Sequence, residues 1–169
     1  DQWGNITAGI DLIHKIKGAD EAVYGLTIPL MLKADGTKFG KTAGGAIWLD
    51  ADKTSPYEFY QFWLNQDDRD VIRYLKFFTF LGQDEINQLA AAVEDEPEKR
   101  LAQRRLAEEV TRFVHGEEAL ESAQHISEIL FSGDIQRLTL TEVQEAFEKV
   151  PNVSINSEPT NIVELLTET

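Results

Sequence analysis

Residues 55–63 read Ser55-Pro56-Tyr57-Glu58-Phe59-Tyr60-Gln61-Phe62-Trp63, and this stretch predicts the first helix of a helical bundle. A serine followed three residues later by a glutamate forms a capping box, in which the hydroxyl and the carboxylate satisfy free backbone N–H groups. Proline at the first helical position supports the same start. The aromatic residues cover nearly every face of this helix, which favours burial between layers over a platform for stacking RNA bases.

The pattern stays helical from this point onward. The first helix is predicted to reach about Leu64. A second is predicted to begin at Asp67 or Asp68, where negative charge opposes the helix dipole, and to end at Gly82. Further helices are predicted at Asp84–Val93, Glu98–Val114, Glu117–Phe131 and Thr141–Lys149, with a last one from about Asn161. Residues 55–169 are therefore expected to form an all-α domain.

Residues 1–54 have a different, mixed α/β pattern. A helix is predicted from Asn5 to Lys17, because apolar residues recur at three-to-four spacing and Gly18 follows. Ala22–Leu32 has the composition of a buried strand, with Pro29 marking an edge or an irregular end. Lys33–Gly45 contains four glycines and predicts a mobile loop. The chain is thus expected to be mostly α overall, with an α/β part followed by a helical bundle.

The composition is that of a globular protein in a reducing compartment. The chain has 169 residues, 42% of them hydrophobic, and a mean hydropathy of -0.31. No apolar run approaches the roughly 18 residues that a membrane span requires. Because cysteine is absent, disulfides and thiolate metal sites are excluded, and we expect a cytoplasmic protein. The chain begins without methionine or a basic segment, so we expect neither a natural N-terminus nor a signal peptide.

The negative charge is concentrated in the second half of the chain. The net charge is -14. Residues 1–81 contain 11 acidic and 9 basic residues, a net of -2, whereas residues 82–169 contain 19 acidic and 7 basic residues, a net of -12. A polyanion cannot bind broadly to the second half, since phosphate binding needs lysine and arginine. Any contact with nucleic acid is therefore expected to be local.

The segment Lys33–Thr42 holds the residues best suited to phosphate chemistry. Lys38 and Lys41 stand three residues apart in a glycine-rich loop, so they could close over a polyphosphate and neutralise charge on a departing pyrophosphate. Thr42 adds a neutral hydrogen-bond donor. The same pattern also suits a solvated turn with incidental lysines.

A phosphate-binding P-loop is a second interpretation of this segment, but the spacing of its residues does not fit that motif. Gly36 to Thr42 spells G-x-x-x-G-K-T, whereas the P-loop requires one more residue and has its first glycine where Asp35 stands. Only seven residues separate Thr42 from Asp50, and a crossover between parallel strands needs a dozen or more.

Two segments resemble the bacterial-type tyrosyl-tRNA synthetases, which belong to class I of the aminoacyl-tRNA synthetases. Lys38-Phe39-Gly40-Lys41-Thr42 is similar to the Lys-Met-Ser-Lys-Ser signature of that class, and Asp1-Gln2-Trp3-Gly4-Asn5 is similar to a second family segment. The likeness continues through residues 46–50, 55–63 and 114–118. The tryptophanyl enzymes share the lysine loop but generally not Gln-Trp-Gly-Asn, so tyrosine is the better assignment.

The resemblance implies a role for each matching residue. Lys38 and Lys41 would stabilise the pyrophosphate of ATP, and Thr42 would add a hydrogen bond. Asp1 would bind the ribose of the adenylate, and Gln2 would lie against the tyrosyl carboxyl or carbonyl group. Met31 is a candidate for the adenine site, where the family uses backbone groups. ATP would be a substrate that brings Mg²⁺ with it, without a dedicated metal site on the protein.

The resemblance also implies the larger enzyme and its partners. The partners would be tyrosine, ATP and tRNA(Tyr), and the full-length enzyme would be a homodimer through the half that is missing here. Residues 1–54 would be the end of a Rossmann-like catalytic domain, and residues 55–169 the helical domain beside the anticodon arm. The histidine signature and the C-terminal RNA-binding module lie outside this chain, so we expect the chain alone to be inactive. A non-catalytic helical fragment that binds RNA or protein remains an alternative.

Two smaller predictions concern the helical region. Asp67 and Asp68 lie in the turn at residues 65–69, where a carboxylate could hydrogen-bond to an unpaired base or could only cap a helix. His14, His115 and His125 could suggest zinc, but the chain has no cysteine and no H-x-x-x-H pair, which disfavours a zinc site.

Overall fold

The computed structural model describes residues 2–28, 30–42, 45–148 and 150. Its contacts divide the chain into two compact units, Asp1–Phe39 and Gly40–Thr169.

The first unit is built on helix α1, Gln2–Lys17, which begins three residues before the predicted start. One face of α1 lies against the extended segment that follows. A Cβ atom placed on Gly25 would lie only 2.8 Å from Cγ2 of Ile6, so the backbone at this position approaches the helix too closely for a larger residue.

The prediction of a buried strand at Ala22–Leu32 was wrong for the described residues. Only Leu32 forms a β-bridge, with Lys38, and the apolar side chains at every second residue from 24 to 30 are exposed. These side chains are Tyr24 (90% exposed), Leu26 (89%), Ile28 (79%) and Leu30 (71%). A strand requires a neighbouring strand for its backbone hydrogen bonds, and the described residues of this unit supply none beside residues 22–28. Amino-acid composition predicts the tendency to form a strand, but it does not show whether a neighbouring strand is present.

The second unit begins with a small antiparallel pair and continues as helices. Strand β1, Lys41–Thr42, pairs with β2, Gly45–Ala46, so that Lys41 lies opposite Ala46. The helices are α2 Pro56–Leu64, α3 Asp68–Phe78, α4 Gln83–Asp95, α5 Leu101–His115, α6 Glu117–Ser132 and α7 Leu140–Phe147, with short 3-10 helices at Pro97–Lys99 and Ile135–Arg137. Helix α2 packs against α5 and α6, and α5 also contacts α3 and α4. The mostly α architecture is confirmed.

Helix α2 forms as the sequence predicts. Ser55 is its N-cap and accepts a hydrogen bond from the backbone N–H of Glu58 at 3.2 Å, and Pro56 opens the helix. Phe59, Tyr60 and Trp63 are each at most 5% exposed, which confirms that these three aromatic residues are core, whereas Tyr57 and Phe62 are half-buried. The ring of Trp63 meets Phe78 edge-on with 5.0 Å between centroids, a favourable arrangement of aromatic quadrupoles.

Two predicted helix ends were wrong. Helix α3 ends at Phe78 and not at Gly82, because the Oγ1 of Thr79 donates to the carbonyl of Leu75 at 2.7 Å and the backbone of Thr79 is extended. The predicted helix at Glu98–Val114 is divided by Arg100, which has a left-handed backbone with φ 50° and ψ 38°. This conformation costs a non-glycine residue roughly 1–2 kcal/mol, so other contacts must stabilise it.

Helix α7 docks through its carboxylates. Thr139 and Glu142 form a capping box at its start, which the sequence analysis did not identify. The Oε1 of Glu145 accepts a hydrogen bond from the backbone N–H of Tyr57 at 2.9 Å, so it satisfies a free donor in the first turn of α2. Glu145 also opposes the effect of burial on His115, whose pKa is lowered chiefly by desolvation.

The predicted helix from about Asn161 lies outside the described residues.

The helices of the described residues are all too short or too polar to cross a membrane.

Replacing Ser55 by alanine tests whether the cap stabilises the helical unit. We expect Ser55→Ala to lower the free energy of unfolding by about 1 kcal/mol, because the N–H of Glu58 loses its acceptor at a nearly buried site. Urea unfolding monitored by circular dichroism measures this change. Ser122→Ala is the matched control inside α6, where alanine is the better helix former and no loss is expected. Equal stability of Ser55→Ala and the unsubstituted chain would contradict the role of the cap.

Candidate functional site

A tight turn precedes the first lysine of the signature. The backbone N–H of Lys33 donates to the carbonyl of Thr37 at 2.8 Å, and that of Gly36 donates to the carbonyl of Lys33 at 2.9 Å. Gly36 has φ +81°, which suits glycine. The Oδ1 of Asp35 accepts from both the N–H and the hydroxyl of Thr37, at 2.9 and 2.6 Å. The turn is therefore locally preorganised.

This turn pairs residues 31 and 32 with residues 38 and 39. Leu32 and Lys38 form an antiparallel bridge, and the N–H of Phe39 donates to the carbonyl of Met31 at 3.3 Å. Lys38 is exposed, and Met31 is half-buried. Two residues predicted for the ATP site thus lie on the paired arms of one hairpin. The prediction of a loop through Lys33–Gly45 was wrong in part, since residues 38, 41, 42 and 45 are paired; its mobility stays a prediction.

The structure describes the other predicted active-site residues only in part. Gln2 is the first residue of α1 and is exposed. Lys41 and Thr42 form β1, which belongs to the second unit, whereas Lys38 belongs to the first. Asp1 lies outside the described residues, as do the side chains of Lys41 and Thr42.

Asp67 is fully engaged by its own turn. It is the N-cap of α3, and its Oδ1 accepts from the backbone N–H of Arg69 at 2.9 Å. The guanidinium of Arg69 binds both carboxylate oxygens, at 2.9 and 2.8 Å. These hydrogen bonds hold the pKa of Asp67 well below its usual range. The expectation of a helix cap therefore fits Asp67.

Asp68 is held from another part of the chain. Its Oδ1 accepts a hydrogen bond from the Nε2 of Gln103, a side chain that is only 1% exposed. The Nη1 of Arg100 lies 4.0 Å from the same oxygen, and the Asp68 side chain is 44% exposed. Oδ2 accepts no hydrogen bond from the described part of the chain. Of the two predicted carboxylates, Asp68 is thus the one able to accept a further donor.

Arg100 joins this turn to the end of α2, and the sequence analysis missed it. Its Nη2 donates to the carbonyls of Leu64 and Gln66, at 2.9 and 3.0 Å. Carbonyls at a helix C-terminus lack partners within the helix, and an arginine suits them in charge and geometry. No sequence pattern links residue 100 to residues 64–66, because the contact exists only after α5 packs on α2 and α3.

A cavity of about 640 Å³ borders this turn, between α2, α5 and α6. Its walls include Asn65, Arg100, Arg104 and the rim residue Phe131, which is 87% exposed. Burial, with Glu108 nearby, raises the pKa of Tyr60 in the wall and keeps its hydroxyl neutral. The lining of the cavity mixes cationic, carboxylate and amide side chains with two aromatic rings.

The described residues contain no cluster of three or more histidine, aspartate or glutamate side chains that could hold a metal ion.

The sequence is similar to bacterial tyrosine–tRNA ligases along essentially its whole length. It is 72% identical over 166 residues to the tyrosine–tRNA ligase of Latilactobacillus sakei, covering 98% of this chain and 40% of that protein. It is 70% identical over 169 residues to tyrosine–tRNA ligase 1 of Enterococcus faecalis, covering 100% of this chain and 40% of the relative. The chain therefore spans about 40% of the length of these relatives.

A solved structure and a family model agree with these relatives. The C-terminally truncated mitochondrial tyrosyl-tRNA synthetase of Coccidioides posadasii matches with a TM-score of 0.59 and 39% identity, over 72% of this chain and 36% of that one. The model of the class I tRNA synthetases (W and Y) matches residues 1–132. The chain belongs to the class I tRNA synthetases of this W and Y family.

Proposed function

We propose that this chain is part of a tyrosine–tRNA ligase, covering the ATP-loop end of the catalytic domain and the helical domain. One observation carries the proposal: 72% identity over 98% of the chain to a protein of that name. The family model covers tryptophan and tyrosine enzymes alike, and the relatives at 64–72% identity are tyrosine enzymes.

The proposed reaction has two steps. A carboxylate oxygen of tyrosine attacks the α-phosphorus of ATP, the bond to the β-phosphate oxygen breaks, and pyrophosphate leaves. A ribose hydroxyl of tRNA(Tyr) then attacks the tyrosyl carbonyl, and AMP leaves. Catalysis of this kind rests on positioning and on stabilising developing charge, because the protein forms no covalent bond.

The residues act on ATP and on the adenylate in this proposal. Lys38 and Lys41 stabilise charge on the pyrophosphate, and Thr42 donates a hydrogen bond to it. Asp1 binds the ribose and Gln2 binds the tyrosyl carbonyl group. The hairpin that places Met31 beside the Lys38–Phe39 arm supports a common site for adenine and phosphates. Magnesium arrives on the ATP phosphates, since Mg²⁺ commonly binds substrate phosphates and few protein groups.

The larger organisation is proposed from the same resemblance. Residues 1–54 belong to the catalytic domain and residues 55–169 to the helical domain. The ligase is a cytoplasmic homodimer, and the part of the relatives that this chain does not match contributes the tyrosine pocket and the dimer contact. The chain alone is therefore inactive.

We further propose that Asp68 reads an unpaired base of the tRNA. Its Oδ2 is available and its side chain is partly exposed, whereas both oxygens of Asp67 bind Arg69. RNA is read mainly through unpaired base edges, which present N–H donors to a carboxylate. The strong negative charge of residues 82–169 favours such a local contact over a broad basic face.

Tyrosine-dependent exchange of pyrophosphate into ATP tests the ligase assignment. We expect activity from a chimera in which this chain replaces the matching 40% of the Latilactobacillus sakei ligase, and none from the isolated chain. The unmodified relative is the control. An inactive but folded chimera would contradict the assignment, and exchange by the isolated chain would contradict its dependence on the rest of the enzyme.

Lys41→Ala in the chimera should slow adenylate formation far more than it weakens tyrosine binding. The charge on pyrophosphate grows only in the transition state, so we expect a loss of about 2–4 kcal/mol, or roughly 30- to 1000-fold in rate. Single-turnover kinetics and equilibrium tyrosine binding separate the two effects. Lys76→Ala removes an exposed lysine from α3 as the control. An equal loss in tyrosine affinity would show that Lys41 acts in the ground state.

Asp68→Asn should change the choice among tRNAs while Asp67→Asn does not. Asparagine replaces one carboxylate acceptor by an amide donor, so we expect about a tenfold loss of preference for the tyrosine anticodon over anticodon variants. Asparagine caps helices as well as aspartate does, so α3 should survive Asp67→Asn. Binding of tRNA and its variants to the chimera measures the preference. Unchanged preference in Asp68→Asn would leave Asp68 with a structural role only.

A further inference from the structure

We propose that Arg100 is a positioning residue that presets the Asn65–Asp68 turn for RNA, an inference that rests on the proposed reading role of Asp68. Arg100 lies at the junction of the 3-10 helix Pro97–Lys99 and α5. It does not touch the base itself. It acts by holding the backbone before Asp68 and the carboxylate of Asp68 in one arrangement.

The guanidinium connects three elements at once. Nη2 binds the carbonyls of Leu64 and Gln66, which end α2 and begin the turn. Nη1 lies 4.0 Å from Oδ1 of Asp68, the first residue of α3. A turn between two helices can adopt several conformations, and two hydrogen bonds to its own carbonyls select one of them. These contacts therefore favour one arrangement of the turn before RNA binds.

The backbone of Arg100 indicates that its side chain is needed at this place. It is the only residue other than glycine with positive φ in the described part of the chain. Glycine would adopt this conformation without strain, but it has no side chain to bind residues 64 and 66. Strain of this kind persists where surrounding contacts over-determine the conformation, and it is often found at functional sites. Here the contacts are the two carbonyls and Asp68.

Gln103 completes the arrangement from the next turn of α5. Its buried Nε2 binds Oδ1 of Asp68, so this oxygen is already engaged by the protein. Oδ2 accepts no hydrogen bond from the described residues, so it is the oxygen left for an N–H donor of an RNA base. Because Arg100 and Gln103 both approach Oδ1, the carboxylate is oriented rather than neutralised by a single close ion pair. An oriented acceptor discriminates between base edges better than a rotating one.

A contact with an RNA phosphate is the competing role for Arg100. The two hydrogen bonds from its Nη2 to the carbonyls of Leu64 and Gln66 hold the guanidinium against the turn, which disfavours its reorientation towards a phosphate. Arg104 lies one turn later on α5, is exposed, and makes no ion pair with another described residue. Arg104 is therefore the better candidate for a phosphate and the matched control for loss of one positive charge.

The experiment compares Arg100→Gly, Asp68→Asn, their double variant and Arg104→Ala in the chimeric ligase. Glycine removes the guanidinium and also relieves the left-handed backbone, so the fold should survive with a melting temperature lowered by less than about 4 °C. Binding of tRNA(Tyr) and of single-base anticodon variants is measured well below that temperature and at several salt concentrations. The preference for the tyrosine anticodon is the readout, because a purely structural role would not change it.

We expect Arg100→Gly to lose about as much preference as Asp68→Asn, roughly tenfold, and the double variant to lose no more than either alone. Arg104→Ala should keep the preference. Wild-type preference in Arg100→Gly would overturn the inference, as would a uniform loss of affinity with a salt slope reduced by about 1, which marks a phosphate contact. If Asp68→Asn is without effect, the proposed base reader fails and the inference with it; if only Arg100→Gly is without effect, the inference alone fails.

Discussion

Burial of the aromatic side chains of α2 is the interaction on which the helical unit depends. Phe59, Tyr60 and Trp63 are each at least 95% buried, and burying a side chain of this size contributes roughly 2 kcal/mol or more. Because residues 59, 60 and 63 lie within an arc of about 100° around the helix, they form one broad apolar face of α2 that must be covered. Helices α5, α6 and α7 provide that cover, and the ends of α2 are then satisfied by Ser55, Glu145 and Arg100.

In the first unit, by contrast, no helix or sheet among the described residues of that unit covers the apolar side chains. Helix α1 has no buried residue, and the side chains of Tyr24, Leu26, Ile28 and Leu30 are largely exposed. Apolar surface of this extent is typical of a face that binds further protein. The relatives extend well beyond the span that this chain matches. The hairpin at Lys33–Thr37 nevertheless forms from local hydrogen bonds alone.

The two candidate sites are preorganised in different ways. The hairpin at Lys33–Thr37 is held by contacts between residues close in sequence, through Gly36 and Asp35. The turn beside Asp68 is held by residues more than thirty positions away, through Arg100 and Gln103. Hydrogen bonds between residues close in sequence can break without disturbing a hydrophobic core. Contacts between distant residues, such as those of Arg100 and Gln103, are as stable as the packing of the helices that carry them.

The sequence by itself determined the features that depend on neighbours along the chain. Ser55 and Glu58 predicted the start of α2, the aromatic run predicted burial, and Lys38-Phe39-Gly40-Lys41-Thr42 indicated the family, because caps, helical faces and short motifs are local. Only the tertiary structure decided that Asp67 is the cap while Asp68 stays available, and that Arg100 interrupts the helix predicted at Glu98–Val114. The strand predicted at Ala22–Leu32 was wrong for the same reason. Strand pairing and arginine clamps need partners that composition cannot specify, since those partners are brought close only by the packing of the fold.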